Sequence, residues 1–217
     1  MTKRKKNIIQ APMGETTVLL HTCCAPCSSA IIEALLQNGI TPVIYYCNPN
    51  IYPHEEYEIR KNECIRYAQS LGLEIVDADY DHDGWLEQMM GLENEPERGG
   101  RCLKCFKLRL LSTARYASER GIKIITTTLA SSRWKSLEQI NEAGLWACDK
   151  TNSPDDRQVI WWDQNWRKNG LQERRLQIIK EYDFYNQRYC GCEFSMRKDD
   201  LTSMQSSLTS EGTDSLV

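Results

Sequence analysis

The chain has 217 residues and a formal net charge of −3, enough for one sizeable domain with a small appendage. Hydrophobic residues at 41% and charged residues at 26% suit a globular protein, and the longest apolar runs, 17–20 and 40–46, are far too short to cross a bilayer. A membrane protein and a fibre are therefore excluded, and the basic start, lacking the apolar segment of a secretory leader, points to a cytoplasmic protein.

Residues 1–16 read as a flexible basic arm, 17–198 as a single α/β catalytic domain, and 199–217 as a disordered acidic tail rich in Ser and Thr. Within the body, 17–21 is a short apolar strand. A helix over 28–38 is opened by Pro26 and closed by Gly39. A second strand, 41–47, runs into the irregular loop 48–53. Residues 54–71 form a helix stopped by Gly72, followed by a strand at 73–77. A helix over 102–120 ends at Gly121 and leads into a strand at 122–128. Segments 137–146 and 171–185 read as helices. Short strands alternating with helices imply a parallel sheet with flanking helices, whose binding crevice lies at the C-terminal strand ends. There the unusual residues fall: Cys23 and Cys24 after the first strand, Cys47 and Asn48 after the second, 128–133 after the fourth.

Seven of the ten cysteines fall into three groups: Cys23-Cys24-Ala25-Pro26-Cys27, Cys102-Leu103-Lys104-Cys105 and Cys190-Gly191-Cys192. In a reducing compartment such clusters bind metal or do redox chemistry more often than they form disulfides. The first two groups sit at predicted helix starts, where free N–H groups and the macrodipole favour thiolate. Adjacent Cys23 and Cys24 point apart and suit two centres, or one centre and a substrate. Spacing alone leaves zinc, an iron–sulfur cluster and a bare Cys24–Cys27 dithiol open. Cys47, Cys64 and Cys148 read as small core residues, and His21 as a packed histidine rather than a ligand. Glu58 and Arg60 read as facing the crevice. Around Asp163 and Arg167, the residues Trp161, Trp162 and Trp166 interleave with bases, a mixture that suits stacking on unpaired bases, although aromatics are more often core. No Gly-rich phosphate loop, dinucleotide fingerprint, His-Glu-x-x-His or nucleophile elbow is present.

Charge is unevenly spread. Residues 54–97 hold thirteen acids and three bases, whereas 98–135 hold ten bases and one acid, and 157–198 nine bases and five acids. This is either a polyanion-binding face or two differently charged solvated surfaces.

Taken in order, the motifs resemble the cobalamin-independent epoxyqueuosine reductases of the QueH type. The matching residues are His21-x-Cys23-Cys24-Ala25-Pro26; Asn48-Pro49-Asn50-Ile51 with Glu56, Tyr57 and Arg60; Arg101-Cys102-x-x-Cys105 with Arg109 and Leu110; Thr127-Thr128-Leu129 with Ser131; and Gln187-Arg188-Tyr189-Cys190-Gly191-Cys192 with Ser195. The resemblance implies a Rossmann-like, adenine-nucleotide-hydrolase-like fold with a metal-binding helical and loop appendage. It implies removal of the epoxide oxygen of epoxyqueuosine at the wobble position of tRNA, the last step of queuosine synthesis. It also implies a [4Fe–4S] cluster, one additional iron ion and an external electron donor. On this reading Cys23, Cys24, Cys102, Cys105, Cys190 and Cys192 bind the cofactor, and Cys23, Cys24, Cys27, Cys102 and Cys105 are metal ligands. Cys24, Cys27, Cys190 and Cys192 are the catalytic residues, and Arg101, Lys104, Arg109, Arg133, Lys135 and Arg188 grip the tRNA. Two departures stand out: Cys27 replaces an Asp found in some members, and Ser131-Ser132 replaces a Ser-Pro. The same cysteines also fit a zinc-stabilised RNA-binding module or a thioredoxin-like dithiol oxidoreductase.

Overall fold

The computed structural model describes residues 8–153 and 158–196. Five parallel strands form one sheet in the order β3-β2-β1-β4-β5. They are β1 (Thr17–His21), β2 (Thr41–Tyr46), β3 (Ile75–Asp77), β4 (Ile124–Thr127) and β5 (Ile160–Trp161). The helices are α1 (Ala25–Gln37), α2 (His54–Ser70), α3 (His82–Met89), α4 (Gly100–Arg120), α5 (Leu137–Thr151) and α6 (Leu171–Glu181). The α/β class and parallel sheet agree with the sequence reading; α3 and the two-residue β5 are additions to it.

β1 is the middle strand, and Val18, Leu19 and Leu20 are wholly buried. A parallel strand covered on both faces reads as a continuous apolar run, as this one does. α1 packs against α2 and α6, and α4 packs against α3 and α5. Gly144 of α5 meets the sheet through Trp161: a Cβ there would lie 2.2–2.4 Å from the indole. This close approach explains why α5 carries a glycine in mid-helix despite its helix cost.

The strand order reverses direction on either side of β1, between β1 and β4. In such sheets that switch point opens a crevice at the C-terminal ends of the strands. Segment 182–196 then closes over it, with Tyr52 N donating to Gly191 O at 2.8 Å and Tyr189 Oη to Tyr52 O. Part of the expected arm lies on the body: Ala11 is buried, and Ile9 N donates to Asn38 Oδ1. Residues 1–7 of that arm and the whole tail 199–217 lie outside the described residues. No helix among the described residues is long and apolar enough to cross a membrane.

Candidate metal and substrate site

The site begins with His21 at the end of β1, fully buried. Its Nε2 lies 3.1 Å from Cys47 O and its Nδ1 2.7 Å from Thr127 Oγ1. A carbonyl only accepts, so Nε2 carries the proton and Thr127 donates to Nδ1. Thr127 in turn accepts from Leu129 N. Burial pushes the imidazole down to about 3, so it stays neutral. It ties the ends of β1, β2 and β4 together, as the packed-histidine reading expects.

Cys23, Cys24 and Cys27 follow at once. Cys24 is the N-cap of α1 and Pro26 lies in its first turn. The three Sγ atoms lie within 4.8 Å of one another. Cys23 Sγ is 3.9 Å from Cys24 Sγ. Thr128 Oγ1 donates to Cys23 Sγ at 3.4 Å, and Gln187 Nε2 donates to Cys24 Sγ at 3.1 Å. The other Gln187 amide atom, Oε1, is buried with no partner among the described residues. Hydrogen bonds from the Cys24 and Cys27 thiols draw Cys23 well down toward thiolate. Burial raises Cys24, and its contact with Cys23 raises Cys27 to about 11. Adjacent Cys23 and Cys24 were expected to diverge; the extended Cys24 backbone (φ −172°) instead lets both sulfurs reach one point.

The other motif cysteines gather beside a cleft lined by Cys102, Cys190, Cys192, Lys135 and Trp134, among others. Cys105 packs with Cys192, Trp85 and Met89. Burial raises Cys102 and Cys105, and pushes Cys192 up to about 12. The helix-start argument for thiolate is therefore outweighed by desolvation at these positions until a cation displaces their protons. Arg109 and Lys135 each feel the charge of both sulfur sets. Burial works to lower both, but the charges of Cys23 and Cys190 contribute to holding each of them protonated.

Local structure explains how the Cys190 loop is held. Buried Arg60 pairs with Glu56 one turn earlier at 2.7 Å and donates to Cys190 O at 3.1 Å and Tyr189 O at 3.3 Å. Its guanidinium also sits 5.2 Å from the Tyr189 ring centroid. Gly191 between the two cysteines has φ +138°, and a Cβ there would meet Asn50 Nδ2 at 3.0 Å and Ile51 Cγ1 at 3.1 Å. Both facts demand glycine. His82, from the helix absent from the sequence reading, holds the far side through Pro49 O at 2.8 Å and Glu193 at 3.4 Å.

Several expected roles change. Arg101 is buried and spends its guanidinium on Leu92 O, Glu93 O and Glu95 O at 2.6–3.1 Å and on the Phe194 ring. Arg109 is buried too, on Cys47 O and Asn48 Oδ1. Neither presents its charge to phosphates; each fastens loops around the site. Arg133 and Arg188 are exposed, and Lys104 and Lys135 are half-buried. Trp161, Trp162 and Trp166 are core, because β5 draws their segment into the sheet. Arg60 holds the Cys190 loop instead of facing the crevice, and Glu58 lies on the surface, paired with Lys61. Cys47, Cys64 and Cys148 are buried, as expected. Exposed Trp134, which lines the cleft beside Arg98, the start of the basic segment 98–135, escaped the sequence reading; the one available signal was an apolar Trp in a basic, Ser-rich turn.

The family model described as "Epoxyqueuosine reductase QueH" matches residues 18–198. The chain belongs to the epoxyqueuosine reductase QueH family. Among similar curated members, the Haemophilus influenzae protein is 48% identical over 87% of this chain and 75% of its own length. The Acinetobacter baylyi protein is 47% identical, covering 87% and 84%. A distant member, from Thermotoga maritima, is 31% identical, covering 83% and 90%. All three are named epoxyqueuosine reductase QueH. The QueH match spans every cysteine group described above and ends just past the Cys190 loop.

The donor set suits a metal. Three sulfurs within 4.8 Å fit one thiophilic ion, and three protein ligands leave a tetrahedral ion one open position. Cys102, Cys105, Cys190 and Cys192 do not join that cluster. Cys102, Cys190 and Cys192 line the cleft, with Cys105 packed against Cys192, a sulfur-rich set suited to a larger thiolate-held group.

Proposed function

We propose that this chain removes the epoxide oxygen of epoxyqueuosine at the wobble position of tRNA, in the cytoplasm, using an iron–sulfur centre and one further iron. The observation that carries the reading is the cluster of Cys23, Cys24 and Cys27 just after β1, together with a second set, Cys102, Cys190 and Cys192, that lines a cleft shared with Lys135. Two such sets in a QueH-family chain are what a reductive site requires. Turning an epoxide into an alkene consumes two electrons and two protons and releases water. No side chain supplies the electrons without being consumed, so they come from an external donor. When bound, the iron–sulfur centre supplies one-electron transfer and the adjacent iron Lewis acidity toward the oxygen.

The chain's own residues do the rest. Cys23, Cys24 and Cys27 are the ligands for the single ion, with Cys27 as a softer donor than the Asp of some members. The iron–sulfur centre draws on Cys102, Cys105, Cys190 and Cys192, with Cys23 or Cys24 the candidates that link the sets. Arg109 and Lys135 offset the accumulated thiolate charge, and Lys135 keeps its proton on Nζ at the cleft wall, where negative charge develops on the leaving oxygen. Arg133, Lys104, Lys135 and Arg188 contact the anticodon arm. Arg101 and Arg109 are excluded from that role by their burial.

The test is iron, sulfide and zinc content of anaerobically purified protein, with an assay of oxygen loss from epoxyqueuosine tRNA under a chemical reductant. Iron near five equivalents with sulfide near four, and turnover, support the reading. About one zinc without sulfide turns the site into a structural one. Absence of metal after reconstitution leaves a dithiol enzyme.

A further inference from the structure

We propose that Trp134 is the stacking platform for the nucleobase next to the one that enters the cysteine cleft. The inference rests on the tRNA-reductase reading above and adds a specificity element to the same site.

A single exposed apolar residue means nothing by itself. Trp134 differs because its exposure, at 67%, is combined with a backbone that is tied down. Arg98 Nη2 donates to Arg133 O at 2.9 Å, and Arg98 Nε to Trp134 O at 2.8 Å. Arg167 Nη2 donates to Lys135 O at 2.7 Å. Two arginine side chains are thus committed to three consecutive carbonyls. Gln139 Nε2 braces Arg98 in turn, through Arg98 O at 2.8 Å. Trp134 N also donates to Ser132 Oγ at 3.3 Å. A turn held this firmly presents its indole with little ordering entropy left to lose on binding.

The ring carries the chemistry of a base platform. The Arg133 guanidinium sits 5.1 Å from its centroid, a cation beside an aromatic face, which suits a base together with its phosphate. The ring lines the same cleft as Cys102, Cys190 and Lys135. The base that reacts goes in, and the strand continues over the lip, where Trp134 stands. By contrast, Trp85, Trp161, Trp162 and Trp166 are buried and unavailable for this.

The experiment compares wild type, Trp134→Ala and Trp134→Phe in binding an anticodon stem–loop carrying epoxyqueuosine, and the same RNA made abasic at one or the other flanking position. Trp134→Ala weakens binding roughly 5- to 150-fold, the cost of one lost stack, with iron content and visible spectrum unchanged; Trp134→Phe restores most of it. One abasic RNA weakens wild-type binding similarly and costs Trp134→Ala less than twofold. Binding by Trp134→Ala within twofold of wild type, or an equal cost of both abasic RNAs in variant and wild type, overturns the proposal. Wild type that shows the stacking pattern yet leaves the epoxide intact overturns the reaction reading alone. Wild type that binds no RNA overturns both.

Discussion

Replacing Arg60 with methionine removes the clamp on the Cys190 loop while keeping much of the side chain's bulk. Arg60 and Glu56 are 2% and 9% exposed at the side chain and 2.7 Å apart. Without the guanidinium, Glu56 keeps the hydrogen bond that the Tyr185 hydroxyl donates at 2.8 Å. Breaking one side of a buried pair costs about 3–5 kcal/mol, since the remaining charge stays desolvated. For a chain of this size that corresponds to a fall in Tm of roughly 6 to 20 °C. The carbonyls of Tyr189 and Cys190 lose their donors as well, so the loop loosens and Cys190 and Cys192 leave the cleft wall. Thermal melts followed by circular dichroism, with iron content measured on the same samples, check both effects. Adding Glu56→Gln to Arg60→Met removes the stranded charge, so part of the stability returns while the iron deficit stays. A melt within about 2 °C of wild type together with full iron content would refute the clamp.

Three further outcomes are expected. Gly144→Ala drives a methyl into the Trp161 indole and lowers stability by about 1–3 kcal/mol; a denaturant midpoint equal to wild type contradicts the core placement of Trp161. Contact with Glu193 raises His82 above its ordinary value, opposed by burial. A raised folded pKa gives stability that is full below about pH 6.5 and is lost as pH rises through the folded value. The stability gap between wild type and His82→Gln is therefore widest at pH 6.5 and below and narrows at alkaline pH, and a gap that grows with pH, measured by urea unfolding, refutes the pairing. Cys24→Ala lowers bound metal by at least one equivalent, because it removes one of three sulfurs within 4.8 Å, whereas Cys64→Ala, a change of one buried core thiol, leaves metal content as it was; equal content in all three proteins discards the cluster.

Local pattern determined much of this protein. The apolar run of β1, Pro26 in the first turn of α1, Gly121 at the left-handed end of α4 (φ +69°) and the spacing of three cysteine groups are statements about neighbouring residues, and neighbours are what a sequence shows. Those features sufficed for the parallel α/β class and for placing the unusual residues at the strand ends. They missed β5 because two residues carry no period, and α3 because its burial is confined to Trp85 and Met89. Tertiary structure alone decided the rest. Whether Arg101 or Arg133 reaches solvent depends on carbonyls and rings brought from elsewhere in the chain; both read as arginines in a basic segment. Burial, not helix position, decides the direction at Cys102 and Cys105, which it raises, while Cys23 is drawn toward thiolate by two neighbouring sulfurs. Trp161 went to the core and Trp134 to the lip of the cleft because exposure is a property of the closed surface, which no stretch of sequence contains.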